Sequence, residues 1–249
     1  MSSSFWPSDP ILNRKKPSML PGRKGKRKSM LEIHSLNKSF GKHVILKDVD
    51  LSFPEGTVVG LFGPSGCGKS TFLNIVSLLL KRDSGSLKLN GKEYSDLRKK
   101  KEIEDFRISH FAYVFPEANL LSALDVEENI LFPLQLQNVE VDHEKLNRLV
   151  DALELRPVYE ADVDSLSSGE KQRVALLRAL LLPRDVLIAD EPTSHLDPEM
   201  SEKVIALLKE EAKATKKIIL CSCHDAKLFD SFDVGYRMEN EGFTLYEKQ

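Results

Sequence analysis

The chain has 249 residues, enough for one sizeable core and a subdomain. Its formal net charge of −2 gives the body as a whole no electrostatic reason to bind nucleic acid. No stretch of about 18 apolar residues occurs, so no segment is expected to span a bilayer. The three cysteines, Cys67, Cys221 and Cys223, have no further Cys/His set around them and read as reduced thiols, not as a zinc site.

Residues 1–29 carry Arg14, Lys15, Lys16, Arg23, Lys24, Lys26, Arg27 and Lys28, with no acid between Asp9 and Glu32. Proline, serine and glycine fill the gaps, which predicts a disordered basic tail. The tail lacks the apolar core of about 7–15 residues that a signal peptide needs. Contact with anionic lipid, contact with nucleic acid and an inert upstream extension all fit its composition. The domain proper is predicted over 30–249. It opens at Met30-Leu31-Glu32-Ile33 with strands through about Phe53 and a turn at Pro54-Glu55-Gly56.

The apolar run Thr57-Val58-Val59-Gly60-Leu61-Phe62 leads into Gly63-Pro64-Ser65-Gly66-Cys67-Gly68-Lys69-Ser70-Thr71, which fits G-x-x-x-x-G-K-[ST]. The stretch Phe72 to Leu80 then reads as a helix. Strand, glycine-rich turn and helix start are the context in which this motif binds nucleotide phosphate. Glycines free the backbone so that successive N–H groups can turn toward an anion, and the helix start adds its positive dipole end. Lys69 is expected at the β- and γ-phosphates and the Ser70 hydroxyl on Mg²⁺.

Further along, Leu87-Lys88-Leu89 and the Asn90-Gly91 turn extend a β region, and the charged run from Arg98 to Asp105 reads as a solvated helix face. Residues 117–182 are helix-rich. Within them Ser167 and Gly169 precede the helical stretch Val174 to Leu182, forming a second small-residue helix start able to meet an anion. Val186-Leu187-Ile188-Ala189 is an unbroken apolar run, as expected of a parallel strand buried on both faces. It ends in Asp190-Glu191, at the strand edge where α/β sheets hold ligands. Asp190 suits direct or indirect Mg²⁺ coordination and Glu191 a base that polarises water. Asp197-Pro198-Glu199 starts a helix, with Met200, Val204, Leu207 and Leu208 on its core face. Cys221 and Cys223 sit on a buried strand, and Val234 to Tyr246 reads as a closing hairpin turning at Glu239-Asn240-Glu241-Gly242. There is one phosphate loop and no internal repeat.

The phosphate loop, the Leu166-Ser167-Ser168-Gly169-Glu170-Lys171-Gln172-Arg173 segment and the Asp190-Glu191 pair, in that order, resemble the ATPase subunits of ABC transporters over about residues 31–249. The resemblance implies an α/β fold: a P-loop NTPase (RecA-like) core with an antiparallel β subdomain and a helical subdomain inserted at about 117–182. It further implies Phe40 stacked on adenine, Ser194-His195-Leu196-Asp197 as the loop after the catalytic Glu191, and His224 as the switch histidine at the γ-phosphate. Ser167 and Gly169 would cover ATP held by the second copy in a head-to-tail homodimer. ATP and Mg²⁺ are the implied cofactors. The implied partners are integral membrane permease subunits on separate chains, at the cytoplasmic face of the inner (plasma) membrane. The run Leu120 to Leu134 resembles the lipoprotein-release, macrolide-export and cell-division group, with amino-acid importers as the near alternative. Two positions depart from the family text. Ser168 replaces a glycine, and Pro116 follows Tyr113-Val114-Phe115 where the family has a glutamine. Proline offers neither a side-chain ligand nor an N–H, so a low-turnover nucleotide-binding regulatory subunit is a further alternative.

Overall fold

A computed structural model describes residues 29–246; the expectation for the basic tail falls outside them apart from Ser29, which opens the first strand. Two sheets form. The first is antiparallel, in the order β2-β1-β4-β5, from β1 (Ser29–Phe40), β2 (His43–Pro54), β4 (Ser84–Leu89) and β5 (Lys92–Glu93). The second has the order β10-β9-β3-β8-β7-β6. Its strands are β3 (Val58–Phe62), β6 (Phe111–Val114), β7 (Val186–Ala189), β8 (Ile218–Cys223), β9 (Val234–Glu239) and β10 (Gly242–Tyr246). All its pairings are parallel except that of β10 with β9, as befits strands joined by helical crossovers. The closing hairpin therefore also extends the central sheet, because β9 pairs with β3.

Alternation along the central strands sorts their side chains into two cores. Val59, Leu61, Val186, Ile188, Ile218 and Leu220 face the antiparallel sheet and α1 (Lys69–Val76). Val58, Phe62, Leu187, Ala189, Ile219 and Cys221 face α3 (Val126–Leu136), α4 (His143–Ala152), α5 (Ser168–Leu181) and α6 (Pro198–Thr215). No residue of α2 (Lys100–His110) is buried, in keeping with the solvated face read from its charges.

Two helix boundaries differ from the sequence expectation. α1 stops at Val76 instead of running to Leu80, because the Ser77 hydroxyl bonds back to the Leu73 carbonyl and Leu78 adopts a left-handed φ of 61°. α5 begins at Ser168, so Gly169 lies inside its first turn. Ser167 is the N-cap, and a reciprocal capping box with Glu170 satisfies the two free N–H groups there. Asp197 caps α6 by accepting from the Met200 N–H, with Pro198 at the first helical position.

Candidate functional site

The C-terminal ends of β3, β7 and β8 converge on the loop 63–68. Gly63, Gly66 and Gly68 all have positive φ (154°, 77° and 113°), which L side chains rarely adopt. Two of these glycines are also packed tightly. A Cβ on Gly63 would come within 2.9 Å of the Met238 carbonyl oxygen, and one on Gly68 within 2.5 Å of Ile45 and 2.6 Å of the Met238 methyl. Gly66 faces open space, and with Pro64 and Ser65 it forms an exposed crest. Lys69 is 4% exposed and folds back under the crest, donating to the carbonyls of Gly63 (2.8 Å) and Pro64 (3.0 Å), with the Cys67 sulfur 3.9 Å away. Cys67 is a free, half-buried thiol. Ser70 and Thr71 stand half-buried in the first turn of α1.

A continuous polar chain crosses from α1 to β8. The Ser70 hydroxyl donates to Asp190 Oδ1 at 3.1 Å, and the Ser222 hydroxyl donates to the same oxygen at 2.5 Å. Asp190 is 3% exposed. Its own N–H bonds to the Val114 carbonyl at 2.8 Å, and the Glu191 N–H bonds to Ser222 Oγ at 2.8 Å. Glu191 turns the chain with φ 56°, a left-handed conformation that costs a non-glycine residue about 1–2 kcal/mol. Its carboxylate pairs with His224 Nε2. Strand β8 separates β3 from β7, which is why a β8 residue can touch both Asp190 and Glu191. Cys221 and Cys223 on the same strand are buried and free, and burial pushes the Cys223 thiol up to about 11.

Phe40 lies at the end of β1, half exposed, with the Lys38 ammonium 5.0 Å from its ring centroid. Its hairpin reaches the phosphate-loop motif through Ile45, which underlies Gly68. Ser167 is turned into its own capping box, and Gly169 fits closely against the loop after β7: a Cβ there would come within 2.9 Å of the His195 carbonyl oxygen. Within one chain, then, Lys69, Ser70, Asp190, Glu191 and His224 form one cluster. Gly169 sits instead against His195, and Ser167 bonds to Glu170.

The segment after β6 is held by its main chain. Gln172 and Arg178 of α5 donate to the carbonyls of Phe115 (3.4 Å), Ala118 (2.9 Å) and Asn119 (3.1 Å). Burial pulls the Arg178 guanidinium below its ordinary range. At the far end, the buried Asn129 amide accepts from the Leu121 N–H and donates to the carbonyls of Leu121, Leu124 and Asp125. Pro116 is half-buried and Glu117 exposed between these straps. Sequence reasoning missed Ser222 and Asn129. Their only signals were a hydroxyl inside an apolar strand and an amide on the buried side of a helix.

A family model described as "ABC transporter" matches residues 46–194. A bacitracin export ATP-binding protein, BceA of Halalkalibacterium halodurans, is 33% identical over 203 residues, covering 79% of this chain and 80% of that protein. A methionine import ATP-binding protein, MetN of Vibrio vulnificus, is 38% identical over 208 residues, 81% of this chain; the chain spans only 60% of the length of that protein. Among solved structures, the ATP-binding cassette MJ0796, described as a dimer in a post-hydrolysis state bound to ADP and phosphate, superposes with a TM-score of 0.77 at 29% identity, over 88% of this chain and 98% of the other.

Proposed function

The chain belongs to the ABC transporter family, and on that premise we propose that it is an ATP-binding subunit that hydrolyses ATP to drive separate membrane-embedded chains. One observation carries the reading: Ser70, Asp190, Glu191 and His224, from three different elements, meet in one polar cluster beside Lys69 and the phosphate-loop motif. Lys69 exchanges its two carbonyl partners for phosphate oxygens when nucleotide enters, and the loop N–H groups and the α1 start meet the remaining charge. Phe40 stacks on the base. Ser70 and Asp190 are hard oxygen donors, 3.1 Å apart, of the kind that hold Mg²⁺ together with substrate phosphates. When bound there, the metal would supply charge neutralisation toward the phosphates. Glu191 orients the attacking water and takes up its proton, with His224 holding the carboxylate in register.

Ser167 and Gly169 serve the second copy of a head-to-tail homodimer, a reading supported by the dimeric MJ0796 cassette. Among the described residues no helix is long and apolar enough to cross a membrane. This supports permease subunits on other chains, with this one docked peripherally at the cytoplasmic face of the inner membrane. We favour the export or lipoprotein-release side, on the Leu120–Leu134 text and on the similarity to BceA. The higher identity to MetN favours the importer reading. Purified chain should release phosphate from Mg-ATP, and Glu191→Gln should bind ATP, accumulate as a dimer and release almost none. A wild type that binds ATP yet shows no release, with or without co-purified membrane partner, would overturn the hydrolytic reading. Identification of the co-purifying permease separates exporter from importer.

A further inference from the structure

We propose that Ser222 is a positioning residue that sets both the metal-binding carboxylate and the catalytic base; the inference rests on the ATPase reading above. Ser222 sits on the central strand β8, fully buried, between two buried cysteines. A hydroxyl has one proton to give and lone pairs to receive, and Ser222 uses both functions across the strand. It donates to Asp190 Oδ1 at 2.5 Å and accepts from the Glu191 N–H at 2.8 Å. The hydroxyl thus couples the orientation of one carboxylate to the main chain of the next residue.

Both constraints act where the sheet ladder ends. β7 stops at Ala189, and the Asp190 N–H is bonded to Val114. The Glu191 N–H is the first beyond that ladder, and at that point the chain adopts φ 56°. A left-handed glutamate persists only when its surroundings over-determine it, and the Ser222 oxygen supplies one of those determinants. The carboxylate so presented reaches His224. On the other side, Asp190 Oδ1 receives two hydroxyl protons, from Ser70 and Ser222. On the ATPase reading Ser70 would also hold the metal, and Ser222 would then be the fixed partner left to keep Asp190 oriented. The strand that carries Ser222 is parallel-paired on both sides and buried along its whole length. The hydroxyl is therefore held on a rigid element, as a positioning group must be.

Removing this hydroxyl leaves the phosphate loop, Lys69 and Phe40 untouched. Ser222→Ala should lower kcat and raise the Mg²⁺ concentration for half-activation, each by about 10-fold or more, the usual scale for groups that orient metal ligands. KM for ATP should stay within about twofold, since no ATP contact is removed. Ser222→Thr, which keeps the hydroxyl on a strand-compatible side chain, should restore both values. A second measurement is independent of turnover: Mg²⁺ should tighten binding of a fluorescent ATP analogue to wild type and Ser222→Thr, and do so far less for Ser222→Ala. If Ser222→Ala melts cooperatively and matches wild type in kcat, Mg²⁺ activation and Mg²⁺-tightened binding, the proposal is wrong. It is equally wrong if a folded Ser222→Thr is as impaired as the alanine variant. A wild type without hydrolysis overturns the ATPase reading alone. The Mg²⁺ dependence of analogue binding then still decides the role of Ser222 toward Asp190, with equal tightening in wild type and Ser222→Ala counting against it.

Discussion

The cluster around Lys69 and the segment from Phe115 to Asp125 are held in opposite ways. In the cluster, side chains with chemistry to do are bonded to nearby groups they can release. Lys69 rests on the carbonyls of Gly63 and Pro64, and His224 on Glu191. Ser167, the predicted contact to a second copy, rests likewise on Glu170. In the 115–125 segment the main chain itself is tied down, by Gln172 and Arg178 of α5 and by Asn129 of α3. The first region can exchange partners at little cost when an anion enters, because each parked bond is replaced by another. The second can move only if the helices that grip it move too. On the proposed function, a ligand-sensing pole and a stiff transmission segment would lie at adjacent strand ends, β7 and β6, which pair directly.

The most severe break of this contrast is Glu191→Gln. Turnover should fall by about 10²–10⁴ while ATP binding persists, read by phosphate release against equilibrium binding. Lys69→Ala should lose binding itself, because no other side chain in the loop replaces its charge. On the stiff side, Asn129→Ala should lower unfolding stability by about 3 kcal/mol, as one buried amide accepts from the Leu121 N–H and shares its two protons among nearby carbonyls. Denaturant melts would read this directly, and a change below about 0.5 kcal/mol would show that water replaces the amide. Arg178→Ala should cost less, about 1–2 kcal/mol, since it removes two bonds from a partly open site. If the segment transmits motion, the variant should also weaken the dependence of hydrolysis on the membrane partner.

Smaller effects sharpen the picture. Pro116→Gln should raise hydrolysis severalfold, or strengthen its dependence on the membrane partner, by restoring the amide that the family resemblance implies at this position. The neighbouring carbonyls stay strapped, so the fold should be unaffected. Glu117→Ala should change little, its side chain being exposed. A wild type unmoved by Pro116→Gln and crippled by Glu117→Ala would mean that Glu117 has taken over the missing role. Last, Cys67 should react with thiol reagents in the absence of nucleotide and be shielded by Mg-ATP. Labelling rates indifferent to saturating ATP would move the nucleotide away from the loop.

The parts of the molecule legible beforehand were those written in contiguous residues. The glycine-lysine-serine run, the apolar stretch ending in Asp190-Glu191 and the Asp-Pro-Glu helix start each carry their reason locally. The helix end near Val76 was misread because Leu78, Leu79 and Leu80 continue an apolar pattern, whereas the break is made by a serine bonding backward and a left-handed leucine. Ser222 was not legible because its partners lie on a different strand; nothing within β8 says which strand is next to it. Asn129, an amide on the buried side of α3, does not reveal its partners until the turn before that helix is folded against it. The second role of β9, as a parallel neighbour of β3, was hidden for the same reason. Pairing between distant strands is a property of topology, and no local pattern encodes it.

Met238 gives the phosphate loop a place in the timing of synthesis. The floor under Gly63 and Gly68 is made by a β9 residue, far downstream of the loop that rests on it. Chains emerge from the ribosome N-terminus first, at about 5–20 residues per second, so the loop is exposed for many seconds before Met238 arrives beneath it. Strand β8, which carries Ser222 and leads to His224, is likewise late. An unfinished chain therefore has the glycine-lysine motif without its floor and without the residues that steady its carboxylates. The packing around the phosphate loop is thus complete only once β9 has been made.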